Sequence, residues 1–484
     1  MPPEAAGTAR APTAATAISQ RTLDPRTLRL LEGPIASTLL RMAWPNIVVM
    51  LAQASTGLIE TWWVSHLGLD ALAGTALVFP GFMMMQMLSG GAMGGGISSA
   101  IARALGGGKR DDANALVIHA LLINVALGGL FAALVLGFGP SLYRALGGSG
   151  GALAAALLYS NIVFGGTPLV WLMNALASAI RGTGNMLVPS LAVCASVVLL
   201  IPLSPCLIFG IGPFPALGVA GAGLAVVSTT ALTAAALALY VASGRCVVHF
   251  ARGRLHRELF GRILKVGGVA AISTMQTTVT VTLATALVGH AGGGDAIAGY
   301  GTGCRLEYLL VPLVFGLGAP LVALVGTNIG AGQQQRALRI ALTGGAVAFV
   351  LSETVGLVAA TWPEAWLGLF SRETGMLATG TQYLRIVGPL YGFFGLGLAL
   401  YFASQGAARL FWPLFAGVLR MLIAVGGGWI ALRLTGSLGG LFSALGFGLF
   451  VYGVLLFIVV VNGGWFGSVR WTRRAAPLRE PSAA

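Results

Sequence analysis

The sequence predicts an all-α integral membrane protein: twelve transmembrane helices in two six-helix lobes related by a parallel internal repeat. Three observations carry this. Only 9% of the 484 residues are charged and 56% are hydrophobic, whereas a water-facing surface needs roughly 25% charged residues. That excludes an ordinary soluble enzyme and a disordered scaffold. Apolar windows of about 20 residues, the length that crosses a bilayer, recur twelve times. The two halves also share one register. The 72 glycines suit a bundle whose helices approach closely through small residues.

The windows fall near 39–64, 71–102, 113–137, 152–180, 186–209 and 218–243, then, after a basic stretch from Gly244 to Lys265, near 266–289, 295–326, 337–361, 375–405, 410–432 and 438–463. The expected organisation is a disordered cytoplasmic tail over 1–35, a first lobe over 36–243, a cytoplasmic linker over 244–265, a second lobe over 266–463 and a cytoplasmic tail over 464–484. Residues 1–35 are rich in Ala, Thr, Pro and Arg and lack the apolar stretch of a signal peptide. The net charge of +14 would suit nucleic acid if it lay on one soluble face. Here the basic residues sit in clusters between apolar runs. Arg103, Lys109, Arg110, Arg181, the linker arginines, Arg336, Arg339 and Arg409 all fall on one side, against only Arg144, Arg372 and Arg433 on the other. The positive-inside rule then places both termini in the cytoplasm of a multi-pass protein of the cell inner membrane, in contact with lipid and not with nucleic acid. Cys194, Cys206, Cys246 and Cys304 are far apart and form no CxxC, so neither a metal site nor a disulfide framework is indicated. No ATP-binding motif occurs, which argues against primary pumping by this chain alone. No cofactor is expected.

Gly106 and Gly108 in LGGGKRDDA match Gly330 and Gly332 in IGAGQQQRA, Gly182 matches Gly406, and Pro189 matches Pro413, each pair 224 residues apart. His66 and His290 keep the offset in HLGLDALAG and HAGGGDAIAG, with one residue inserted after the histidine. Six crossings return the chain to its starting side, so the copies run parallel, about an axis along the membrane normal. Two such lobes place a cavity between them, and the repeat argues against a receptor or structural protein.

Pro45-Asn46, Gln53 and Glu60-Thr61, followed by HLGLDALAG, then Arg181-Gly182-Thr183-Gly184-Asn185, Pro189, FGIGPFPALGVAGAGLA at 209–225, AGYGTGCRLE at 298–307 and GTNIGAG at 326–332, form an ordered set. That set resembles the MATE family of multidrug and toxic compound extrusion transporters, over essentially the whole chain after residue 35. The resemblance implies two six-helix lobes, no enzymatic activity, and export of organic cations in exchange for H⁺ or Na⁺. The wider superfamily also contains flippases of lipid-linked precursors. Those should show a basic cavity, and the first lobe shows no such cluster. A major-facilitator transporter would share the six-plus-six plan, but its acidic-basic signature is absent from LGGGKRDDA.

Ionisable side chains deep in apolar windows are costly and mark function by default. In the first lobe Glu60 is the sole such acid, six residues before His66 and so about 9 Å below the window's outer end. Away from the window ends no Arg or Lys accompanies it. An acid without a cationic partner can take up and release a proton, as a coupling group must. The resemblance adds that the family's first-helix acid, usually Asp, falls here. The second lobe holds Glu307, about 18 Å deep, with Arg305 on a different helix face and Arg420 as a possible partner. It also holds Glu353 and Arg385, at matched depths on adjacent helices, which are expected to pair.

Gln53 is two turns from Glu60 on one helix face. With Asn46, Asn174, Gln276, Arg305, Phe82 and Met85 it completes the expected substrate-binding set. Phe82 and Met85 belong to a Met-rich stretch that suits an adaptable apolar wall. By the resemblance Gln276 stands at the family's second coupling acid, and Leu200 and Ser204 stand where one branch has an Asn and an Asp. These departures leave Glu60 as the coupling carboxylate, with Glu307 the other candidate, and favour H⁺ over Na⁺. The reading from sequence is a monomeric secondary antiporter that exports amphiphilic organic cations in exchange for protons. The alternatives are a precursor flippase and a sodium-coupled antiporter.

Overall fold

A computed structural model describes residues 24–251 and 254–465, and among these every regular element is a helix. The first lobe comprises α2 (Ile35–Ser65), α3 (Leu69–Gly106), α4 (Arg110–Ala145), the pair α5 (Gly150–Gly165) and α6 (Thr167–Gly182), α7 (Leu187–Phe209) and α8 (Val219–Ala242). The second comprises α9 (Arg257–Gly330), α10 (Gln334–Thr361), the short α11 (Pro363–Leu367), α12 (Thr374–Gly406), α13 (Phe411–Thr435) and α14 (Leu438–Val461). Among the described residues eleven helical stretches, two of them within α9, are long and apolar enough to cross a membrane, and twelve if α5 and α6, which meet at a 44° bend, form one span. That bend falls at Gly165-Gly166, just before Pro168, whose missing N–H ends helical continuity.

The repeat is visible in contacts. Gly68 (φ +106) and Gly293 (φ +69) occupy equivalent places after the inserted residue, in a region that favours glycine. Gly293 thereby kinks α9 into two crossings. Asp70 packs on Gly151, and its counterpart Asp295 packs on Gly375. Each carboxylate thus sits at the first turn of the helix it packs on, α5 for Asp70 and α12 for Asp295, where the helix dipole favours an anion. Gly182 packs on the Ser98 backbone and Gly406 on the Val322 backbone, again 224 apart on both sides.

The lobes meet where the basic loops gather. A side chain at Gly106 would collide with the Thr327 carbonyl, and one at Gly330 with the Arg103 carbonyl, a reciprocal pair of the kind a pseudo-twofold axis requires. Gly96 lies against Gly267 and Ile263, and Gly316 against Ile47.

Two expected boundaries change. Residues 1–23 and 466–484 lie outside the described residues, but 24–35 are not a tail. Asp24 caps α1 (Pro25–Glu32) by accepting the Arg26 N–H at 2.8 Å, and Thr27, Leu30 and Leu31, spaced as one helical stripe, are buried. Asn328 of the second lobe donates to the Leu30 carbonyl (3.1 Å), while Gly184 of the first packs on the Leu30 side chain, so α1 bridges the lobes. The linker, too, is structured. α9 starts at Arg257, and Cys246, Val247, Val248, Leu259 and Ile263 join the first-lobe core. Burial pushes the Cys246 thiol up, as for a packed, inert cysteine. His249 and His256 donate backbone N–H groups to Asn114 Oδ1 (3.0 Å) and His119 Nε2 (2.9 Å), and Arg262 pairs with Asp112 at 3.0 Å. His119, on α4, is therefore a linker anchor.

Candidate functional site

Glu60 lies on α2 just over a turn before its end. Its Oε1 is buried and makes no hydrogen bond among the described residues. Several other buried polar atoms of this lobe share that condition, among them Trp63 Nε1 and Ser204 Oγ. These two and Glu60 are at one level. α2 and α7 run side by side in the same direction, with Ser190 donating to Asn46 Oδ1 at 3.4 Å and the Trp63 and Phe209 rings 6.1 Å apart. Carrying that register along the helices sets Ser204 opposite Glu60. Tyr159 on α5 packs, like Trp63, against the cluster of Val64, Ala71, Ile208 and Ala222. Buried polar groups normally have partners, so three unpaired ones at one depth mark a place where the protein keeps polar capacity in reserve. Pro45, inside α2, removes one backbone donor from the same helix.

The second lobe treats its acid differently. Glu307 accepts from the Tyr383 hydroxyl at Oε2 (3.2 Å) and faces Arg420 Nη2 at 3.5 Å through Oε1. The Arg420 guanidinium also lies over the rings of Phe394 and Tyr452, at 5.3 and 5.7 Å. Arg420 is thus the partner left open by the sequence. Arg305 is exposed and stacks on Phe370, with 5.6 Å to the centroid. A carboxylate matched by a guanidinium and a phenol is neutralised in place.

The expected pairing of Glu353 with Arg385 is not present. Among the described residues no ion pair joins them, and Glu353 Oε2 instead accepts the Gly392 N–H at 2.7 Å. The reason is the break in α12: a 3₁₀ turn at Gly388–Leu390 restarts the helix at Tyr391, and the new start exposes unsatisfied amides that an acid caps.

The remaining expected residues separate. Asn46 is 7% exposed and bonds α7, through Ser190 and, at 3.8 Å, Met186 Sδ. Gln276 donates to Thr280 Oγ1 and to the Gly417 carbonyl, both at 3.0 Å, tying α9 to α13. Asn174 on α6 donates to Ser89 Oγ (2.9 Å) and Gln86 Oε1 (3.2 Å) of α3. Gln53 is exposed and Phe82 half-buried. Met85 is fully buried, accepting from the Thr167 hydroxyl at 3.3 Å, so in this structure it is core and not wall. The sequence reading missed Tyr383, Ser89 and Gln405. The repeat offset pairs Gln405 with Arg181 and was the one signal that pointed toward it.

Comparison with known proteins places these observations. The sequence profile of the MatE family matches residues 45–206 and 270–430, one stretch in each lobe. A protein of Shewanella oneidensis named as an FAD transporter is 28% identical over 379 residues, covering 78% of this chain and 82% of that one. NorM of Thermotoga maritima, named as a probable multidrug resistance protein, is 25% identical, covering 78% and 80%. The multidrug export protein MepA of Staphylococcus aureus is 24% identical, covering 73% and 78%. Among solved structures, a MATE protein in its bent conformation superposes with a TM-score of 0.84 at 24% identity, covering 91% and 97%. A MOP-superfamily transporter from Pyrococcus furiosus does so with 0.83 at 23%, covering 91% and 98%.

Proposed function

Starting from the premise that this chain belongs to the MATE family of multidrug efflux transporters, and so is a multi-pass transporter and not an enzyme, we propose that it exports amphiphilic organic cations in exchange for protons, with Glu60 as the coupling carboxylate. The observation that carries this reading is the contrast in pairing: Glu60 has a buried, unpartnered oxygen, whereas Glu307 is held by Arg420 and Tyr383. A proton and an organic cation each neutralise the same buried charge, so occupancy by one excludes the other. Rocking of the two lobes then presents the cavity to each side in turn. Pro45 and Gly57 give α2 places to bend as Glu60 changes charge. Na⁺ is a hard cation that takes several oxygen ligands; around Glu60 the side chains that the sequence offers are Ser204 and Tyr159, a thin set for sodium. Asn174, Gln53 and Phe82 are proposed as substrate-facing groups, and one chain, carrying both lobes, as the working unit. The termini are proposed to be cytoplasmic and the membrane the inner one.

The test is efflux from proteoliposomes under a pH gradient or a sodium gradient imposed separately, with ethidium as the cation. Efflux driven by the pH gradient and collapsed by a protonophore is expected. Efflux driven by sodium alone, insensitive to the protonophore, would overturn the assignment. A second reading rests on the Shewanella relative and on Arg420: a planar aromatic anion would find a guanidinium between Phe394 and Tyr452. FAD efflux exceeding ethidium efflux in the same vesicles would favour it.

A further inference from the structure

The seam between the lobes holds an arrangement that the Glu60 reading does not use. α3 is not α-helical throughout, because Met87–Met93 form a π segment. Such segments are rare, and where they occur they often mark functional sites. Two side chains hold this one from opposite directions. From within the first lobe, Asn174 donates to Ser89 and Gln86, and its amide packs against Gly90, 3.5 Å from where a Cβ would sit. From the second lobe, Gln405 in the last turn of α12 directs Nε2 at the carbonyls of Gly91 (3.4 Å) and Ala92 (3.5 Å).

Gln405 is fully buried, and a side chain at Gly95 would overlap its amide, so the backbone of α3 is shaped to admit it. The same turn is gripped by its own carbonyls. Ser99 Oγ donates to Gln405 O (2.6 Å) and Gly406 O (3.0 Å), and Arg103 Nη1 donates to Ser99 Oγ (2.6 Å) and Gly406 O (3.3 Å). The side-chain contact itself is only half satisfied. Its two donor distances are long, and Gln405 Oε1 is buried without a partner. A partly satisfied buried amide is a weaker tie than a saturated one, which suits a contact that breaks in each cycle. The first-lobe counterpart, Arg181, is a guanidinium, so this cross-lobe amide exists once and is not a by-product of symmetry.

We propose that Gln405 and the π segment Met87–Met93 form a latch that keeps the basic face of the transporter closed, and that Asn174 releases it. A substrate with a hydrogen-bond acceptor would draw the Asn174 amide from Ser89 and Gln86. The π segment then returns to α-helical pitch, a change of one residue in register or about 100° of rotation. That turns the Gly91 and Ala92 carbonyls away from Gln405 and frees the seam. Gln405 is a positioning residue, acting through α3. The latch rests only on the chain being a transporter. The release step rests on Asn174 facing the substrate path.

The test uses the full chain in nanodiscs, its four native cysteines replaced, with spin labels at Arg110→Cys and Gln334→Cys. These are exposed repeat-equivalent positions on opposite lobes at the basic face. Gln405→Met keeps the volume but cannot donate, and Gly95→Ala fills the space of the amide. Both are expected to raise the long-distance population several-fold without substrate and to lower the maximal transport rate, with the thermal unfolding midpoint unchanged. Unaltered distance distributions in both variants overturn the latch. Asn174→Ala is expected to abolish the distance change that ethidium produces in the parent chain. An Asn174→Ala protein that still opens on ethidium overturns the release step. No ion gradient enters these measurements, so their failure is separable from failure of the Glu60 assignment.

Discussion

The two lobes share one backbone plan and treat their buried acids in opposite ways. Positive-φ glycines at 68 and 293, Asp70 on Gly151 and Asp295 on Gly375, and Gly106 on Thr327 against Gly330 on Arg103 show the plan applied twice. Glu60 has no counterpart in the second lobe at the repeat offset, where Ala284 stands, and Glu307 sits in a cluster with Arg420, Tyr383, Phe394 and Tyr452 that the first lobe lacks. The difference teaches that the repeat preserves what packing requires, small residues at close approaches, and leaves charge free to diverge. One lobe keeps a carboxylate with a buried oxygen that has no hydrogen-bond partner among the described residues. The other spends its carboxylate on holding helices together.

The largest effect should come from the acids. Glu60→Gln, which keeps size but cannot carry a proton, is expected to reduce proton-driven efflux to the level of empty liposomes, whereas Glu307→Gln should retain most of it. Reversal of that order, at equal protein in the vesicles, would transfer the coupling role to the second lobe.

Next is the ion pair itself. Arg420→Gln leaves Glu307 without its cation and is expected to cost about 3–5 kcal/mol of stability, read as a fall in the unfolding midpoint in detergent. The double variant with Glu307→Gln should be milder, because no uncompensated charge remains. A double variant as unstable as the single one would show that the two side chains act separately.

The seam tests the shared plan. Gly106→Ala and Gly330→Ala each force a side chain against a carbonyl, at about 1–3 kcal/mol. The pseudo-twofold relation predicts that the two losses agree within about 0.5 kcal/mol. A markedly unequal pair would mean that the seam is symmetric in shape but not in strain.

The smallest expected effect concerns Glu353. A double-mutant cycle on Glu353→Ala and Arg385→Ala should give a coupling energy below about 0.5 kcal/mol, since Glu353 bonds the Gly392 amide and not Arg385. A coupling above about 1 kcal/mol would restore the ion pair suggested by their matched depths.

By itself the sequence determined the class, the number and order of the crossings, the parallel repeat with its one-residue insertion, and the candidacy of Glu60. Each depends on composition or spacing along one chain: bilayer thickness sets the window length, and a buried acid stands out against apolar neighbours. The tertiary structure alone decided who partners whom. Depth along a helix is legible from residue counts, but azimuth and neighbour identity are not. Glu353 and Arg385 therefore agreed in depth and did not meet, while Glu307 and Arg420, 113 positions apart, did. The π segment of α3 and the 3₁₀ break of α12 were hidden for the same reason, because both arise where a helix yields to contacts from another part of the chain. Likewise α1 and the linker, read as tail and tether, are ordered by apolar stripes too short to register as spans, which gain stability only by packing on a surface that the rest of the chain has already built.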